Sequence, residues 1–202
     1  MLRFLDFLFP PRSDELALRG VSDDDFLALL SPRLVGETNP ETVALLPFRD
    51  ARVRAAIHEA KYRGSERAFA LLAAALAEYL READETSRKP VIVPVPLSAA
   101  RRKERGFNQV EEVAKRAAKE LSIPLKTTLL IRTRDTASQV SLPRRERIEN
   151  MRGAFRATRR ADPAYTYIVL DDVITTGATL QAAIITFQEA GATHVISLAL
   201  AH

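Results

Sequence analysis

Apolar residues recur at helical spacing in two consecutive stretches, residues 52–62 and 66–83, with Gly64 as the break between them. In the second stretch Phe69, Leu72, Leu76, Tyr79 and Leu80 fall on one face, the stripe of a helix packed on a core. A polar linker at 82–89 leads to Val91-Ile92-Val93-Pro94-Val95-Pro96. That β-branched run predicts a buried strand, and its prolines suit the carboxyl end, because proline cannot donate to a sheet ladder. Residues 108–121 repeat the helical pattern, with Val110, Val113, Ala114, Ala117 and Leu121 inward. A strand at 165–170, a helix at 178–189 and a strand at 194–201 complete the regular part. Residues 127–131 predict a short strand, and residues 153–157 a return to the sheet. Strands alternating with helices predict an α/β fold, a doubly wound parallel sheet with helices on both faces.

Two segments lack this periodicity. Residues 1–50 are punctuated by Pro10, Pro11, Pro32, Gly36, Pro40 and Pro47, and Ser22-Asp23-Asp24-Asp25 marks a helix start. Short helices and loops are expected there, so the chain divides into an N-terminal segment, 1–50, and a main domain, 51–202. Residues 132–150 are polar, contain Pro143 and predict a mobile loop.

Composition narrows the function classes. The 202 residues are 47% hydrophobic and 28% charged, a globular balance. There is no cysteine, which excludes disulfides and thiolate zinc sites. The most apolar stretch, 68–77, ends at Glu78, short of the ~20 residues of a membrane span. The apolar start, 1–10, carries Asp6 and lacks a cleavage signature, so it reads as a docking segment. Cytoplasmic residence is the expectation. The net charge of +4 favours anionic partners, and residues 132–160 hold nine arginines against Asp135, Glu146 and Glu149. His58, His194 and His202 show no metal-ligand spacing and read as structural, so no protein metal site is expected.

The sharpest chemical signal is Tyr167-Ile168-Val169-Leu170-Asp171-Asp172-Val173-Ile174-Thr175-Thr176-Gly177-Ala178-Thr179-Leu180. A buried strand ends in two acids, and a Thr-Thr-Gly turn opens a helix. Ligands of open α/β sheets bind at the carboxyl ends of strands. A helix start offers unpaired N–H groups to anions. Gly177 allows close backbone approach, and Thr175, Thr176 and Thr179 add hydroxyls. One turn therefore joins a phosphate cradle, including Ala178, to carboxylates able to accept from sugar hydroxyls.

This segment resembles the phosphoribosyl-pyrophosphate motif of type I phosphoribosyltransferases. The resemblance extends to the ComF family of that superfamily through Arg105-Gly106-Phe107-Asn108-Gln109, Gln139-Val140-Ser141-Leu142 and Arg147-Ile148-Glu149-Asn150-Met151-Arg152-Gly153-Ala154-Phe155. Lys61-Tyr62-Arg63-Gly64 and Leu5-Asp6-Phe7-Leu8-Phe9-Pro10-Pro11 also sit where that family has similar segments. The resemblance implies that Asp171 and Asp172 hold the ribose 2′ and 3′ hydroxyls and that Thr175–Thr179 hold the 5-phosphate. It implies a pyrophosphate loop at Pro96, Leu97 and Ser98, and Mg²⁺ bridging pyrophosphate and ribose. ComF proteins are linked to DNA uptake in competence, so single-stranded DNA or competence machinery joins the expected partners, and a homo-oligomer is open. That family commonly has a cysteine-rich zinc segment after its Phe-Pro-Pro-Arg; here Ser13 stands at the expected first cysteine and none follows.

The remaining candidates divide between site and surface. Arg105 is expected to reach pyrophosphate, whereas Arg101 and Arg102 read as a solvated face. Asn108 and Gln109 either cap the following helix or face the substrate. Lys61 could contact a phosphate, but a helix-surface lysine is the expectation, and residues 132–150 read as a lid rather than a nucleic-acid arm, since no aromatic precedes Phe155. The expected function is binding of phosphoribosyl pyrophosphate with transfer to an unidentified acceptor. The rivals are a DNA-uptake protein binding single strands on the same fold and a ligand sensor without chemistry.

Overall fold

The computed structural model describes residues 13–83, 89–134, 151 and 153–202. The N-terminal docking segment, most of the linker and the lid expected over 132–150 lie largely outside these residues.

Two short helices, α1 (Ser13–Arg19) and α2 (Asp23–Leu27), lead into strands β1 (Arg33–Val35) and β2 (Thr42–Leu46). Helices α3 (Ala51–Arg63) and α4 (Glu66–Glu82) follow, then β3 (Lys89–Pro94), α5 (Ala99–Arg105) and α6 (Gln109–Leu121). The chain continues through β4 (Leu130–Arg132), β5 (Phe155–Ala157), β6 (Tyr165–Val173), α7 (Ala178–Glu189) and β7 (Val195–Ala201). The main sheet has five strands in the order β1-β2-β7-β6-β3. It is parallel except for β1, which pairs antiparallel with β2 at the edge.

The alternation along each strand supplies two cores. Ile92, Ile168 and Leu170 point to one face, where α3, α4 and α6 cover them. Val91, Val93, Tyr167 and Val169 point to the other, under α7 and the β4–β5 pair. Period-two burial on both faces is what a strand covered on each side by helices requires. The predicted stripe of α4 is buried at Phe69, Leu72 and Leu76, with Tyr79 and Leu80 packed at its margin.

Three expectations change. Residues 33–46 form two strands of the main sheet, not only helices and loops. Residues 155–157 do not return to that sheet; they pair antiparallel with β4 in a separate two-stranded unit. A short helix, α5, unseen in the pattern, fills the space between the β3 exit and α6. Among the described residues no helix is long and apolar enough to cross a membrane.

Candidate functional site

The carboxyl end of the sheet gathers the expected residues. β6 continues through Asp171 and Asp172 to Val173, so both carboxylates stand in the last three residues of an interior strand. Their neighbours are β7 on one side and β3 on the other. Ile174, Thr175 and Thr176 turn the chain, and Gly177 opens α7 in the left-handed region at φ 69°. The amide groups at the start of α2, α3, α4, α5 and α6 each meet a side-chain cap, from Ser22, Asp50, Ser65, Ser98 and Asn108. Among the described residues no side chain caps α7. Its start, at Ala178 and Thr179, lines a shallow concavity of about 30 Å³, open to solvent, together with Asp171, Thr175, Thr176 and Gly177. That is the geometry of an anion cradle.

Gly177 is crowded as well as twisted. A Cβ there would lie 2.6 Å from the Glu37 carbonyl oxygen and 2.9 Å from Thr38 Cγ2. The β1–β2 connection therefore presses against the turn. The Asn39 N–H donates to Gln181 Oε1 at 2.6 Å, which ties that connection to α7. Residues 37–39 and 177–181 are far apart in the chain, and nothing in the linear sequence signals this contact.

The second loop leaves β3. Val95 still donates to the Leu170 carbonyl at 2.8 Å, and Ser98 caps α5 by accepting from the Arg101 N–H at 3.3 Å. Pro96 and Leu97 are half-buried between them, so the expected pyrophosphate loop lies one strand from the acids. Asn108 resolves to the cap. Buried, it accepts from the Val110 N–H at 3.1 Å and donates to the Val95 carbonyl at 3.0 Å, pinning the loop's first residue to α6.

Gln109 faces the site. Its Nε2 donates to Asp172 Oδ2, and its Oε1 accepts from Arg105 Nη1 at 3.0 Å. The Arg105 guanidinium lies 5.0 Å from the Tyr62 ring centre, and its Nε is buried with no hydrogen-bond partner among the described residues. Arg102 pairs with Glu111 at 3.0 Å on the surface, in keeping with a solvated face. Lys61 corrects its reading. Its ammonium sits 3.1 Å from Asp172 Oδ2 with only 21% of the side chain exposed, so it belongs to the site.

Burial and the neighbouring Asp172 charge raise the Asp171 carboxyl from 3.8 to about 7. The Asp172 N–H, bonded to Asp171 Oδ1 at 2.9 Å, opposes this, as do Lys61 and Arg132. The native state thus keeps a proton that the unfolded chain releases near pH 4. The stabilising contribution of Asp171 is complete below about pH 4 and is lost as the pH rises through about 7. Asp171→Asn removes that slope while keeping the shape. Its melting temperature should match wild type at pH 4 and exceed it at pH 8; parallel curves at both values would place the proton elsewhere.

His58 on α3 is exposed, with Nδ1 2.9 Å from Asp14 Oδ2 on α1. Asp14, His58 and Glu59 each offer a ligand atom within 4.8 Å of the others, a group able to hold a metal ion that linear spacing could not reveal.

No family model matches the chain. It is similar to competence protein F of Haemophilus influenzae, 34% identical over 91 residues that cover 44% of this chain and 40% of that protein. It is also similar to the DNA utilization protein YhgH of Escherichia coli, 37% identical over 127 residues that cover 61% of this chain and 56% of that protein. The chain spans about half the length of the curated relatives it matches. Among solved structures, the adenine phosphoribosyltransferase of Leishmania tarentolae matches at 16% identity and a TM-score of 0.40, over 88% of this chain and 74% of that one. In sequence the chain is thus similar to competence protein F and YhgH, over part of each, as its motifs lead one to expect.

Proposed function

We propose that the chain binds phosphoribosyl pyrophosphate and transfers its phosphoribosyl group to an acceptor nucleophile on a fold of the type I phosphoribosyltransferase kind. One observation carries the reading: an uncapped helix start, entered through Thr175–Gly177, stands beside two carboxylates at a strand's end. The α7 amides and the threonine hydroxyls would take the 5-phosphate. Asp171 and Asp172 would accept from the ribose hydroxyls. The loop at Pro96–Ser98 and Arg105 would take the pyrophosphate, Arg105 as a charged donor.

Each part contributes to the chemistry. Breaking the bond between C1 and the pyrophosphate oxygen leaves positive charge on the ribose ring, and the acidic pair stabilises it electrostatically. The neighbouring acids, with Asp171 raised by burial and by the Asp172 charge, fit a hard divalent cation that prefers carboxylate oxygen. Mg²⁺, when bound, would neutralise charge on the departing pyrophosphate. The ligand is a highly charged metabolite that does not cross membranes unaided, so a cytoplasmic location goes with this reading. Incubating protein, ligand and Mg²⁺ with bases, ammonia and nucleosides should release pyrophosphate with one acceptor class. Binding without release across the panel would leave a sensor, not a transferase.

The relatives' names favour a second reading, a DNA-handling protein that uses the fold as a scaffold. It requires single-stranded DNA affinity that falls steeply with salt.

A further inference from the structure

We infer that Lys61 is a pyrophosphate-contacting residue, contributed by α3 from outside the phosphate motif, which rests on Asp172 until the ligand arrives. This rests on the reading of the site as a phosphoribosyl-pyrophosphate site.

The inference starts from the oxygens of Asp172. Oδ1 accepts from the Val173 N–H at 2.6 Å. Oδ2 receives both the Lys61 ammonium at 3.1 Å and the Gln109 amide. A carboxylate offers about four acceptor directions, and these three donors leave about one for a sugar hydroxyl. For the pair of hydroxyls, or for a divalent cation, one present donor must yield. Gln109 is held from behind by Arg105 and lies at the buried start of α6, so it is the fixed partner. Lys61 is the movable one, an ammonium on a four-carbon stem in the last turn of α3.

Its destination follows from the ligand's covalent structure. The 2-hydroxyl and the pyrophosphate oxygen sit on adjacent ribose carbons. The 3-hydroxyl is one carbon further, so a cation touching a carboxylate that binds either hydroxyl is within a side-chain swing of the first phosphate. Arg105 already approaches from the same side. It stacks on Tyr62, the residue after Lys61, and its buried Nε has no hydrogen-bond partner among the described residues. Lys61 directly and Arg105 through Gln109 thus reach Asp172 from α3 and α5. In the free protein Lys61 offsets the acidic charge; in the complex it offsets the pyrophosphate.

The alternative is an ion pair that merely anchors α3 to β6. Three probes separate the two: phosphoribosyl pyrophosphate, inorganic pyrophosphate and ribose 5-phosphate, titrated with Mg²⁺ into wild type, Lys61→Met and Lys61→Arg. A lost charged hydrogen bond corresponds to roughly a 10-fold weakening or more. Lys61→Met should weaken the two pyrophosphate ligands by at least about that factor and leave ribose 5-phosphate within about threefold, with Lys61→Arg restoring much of the loss. Equal weakening of all three would mean that Lys61 acts only by holding Asp172, and the inference fails. No weakening of either pyrophosphate ligand would also overturn it. If wild type binds ribose 5-phosphate but neither pyrophosphate ligand, Lys61 has no such role although the sugar site stands. Failure of wild type to bind any of the three would remove the site reading itself, and Lys61's role with it.

Discussion

Gly177→Ala should lower the stability of the protein by about 2–5 kcal/mol and abolish ligand binding. Two costs combine. At φ 69° an alanine occupies the left-handed region, which costs roughly 1–2 kcal/mol for a residue with a Cβ. The new carbon would also lie 2.6 Å from the Glu37 carbonyl oxygen, a backbone atom that cannot swing aside. Overpacking of this kind adds roughly 1–3 kcal/mol. Thr38 cannot retreat freely either, because its hydroxyl bonds the Pro40 carbonyl and Thr42 Oγ1, each at 2.7 Å. A control isolates the second cost. Gly106 has φ 80° but nothing within 4 Å of its would-be Cβ, so Gly106→Ala should cost only about 1–2 kcal/mol. Urea unfolding of both variants gives the comparison. Equal losses would show that the Glu37–Thr38 contact does not constrain the turn.

Asp172→Asn should weaken phosphoribosyl pyrophosphate by about 10- to 150-fold, the equivalent of losing one hydrogen bond to a charged group. The substitution keeps the shape but removes the charge that Lys61 and Gln109 now share. It also makes the chain more basic, so non-specific affinity for single-stranded DNA should stay equal or rise slightly. Calorimetry at fixed salt and Mg²⁺ reads both. Unchanged ligand affinity in a folded variant takes Asp172 out of the site. Loss of DNA binding instead favours the scaffold reading, with these acids serving something other than a ribose.

What the sequence could show follows from which interactions are local. The stripe of Phe69, Leu72 and Leu76 and the alternation through Ile168 and Leu170 are local periodicities, and both are buried as read. The order of acids, Thr-Thr-Gly turn and helix is likewise local, and the structure puts it at a strand's carboxyl end. Pairing across the chain is not local. Thr42–Leu46 looks like a fragment between prolines until β7 lies beside it, and Phe155–Ala157 finds β4 rather than the main sheet. Lys61 carries a single charge on a helix surface in the sequence; only the packing of α3 brings its ammonium to Asp172. Asp14 and His58 are 44 positions apart in the chain and meet for the same reason. Asn108 could be read either way because a cap and a substrate contact ask for the same side chain. The buried hydrogen bond to Val95 decides it.

One binding event is the most direct test of the site. Phosphoribosyl pyrophosphate should be titrated calorimetrically into the wild-type chain with Mg²⁺ in excess, with and without saturating ribose 5-phosphate. The account predicts a single saturable site whose heat disappears when ribose 5-phosphate already fills the cradle of Thr175–Thr179. No saturable heat at millimolar ligand, or binding indifferent to ribose 5-phosphate, would contradict it.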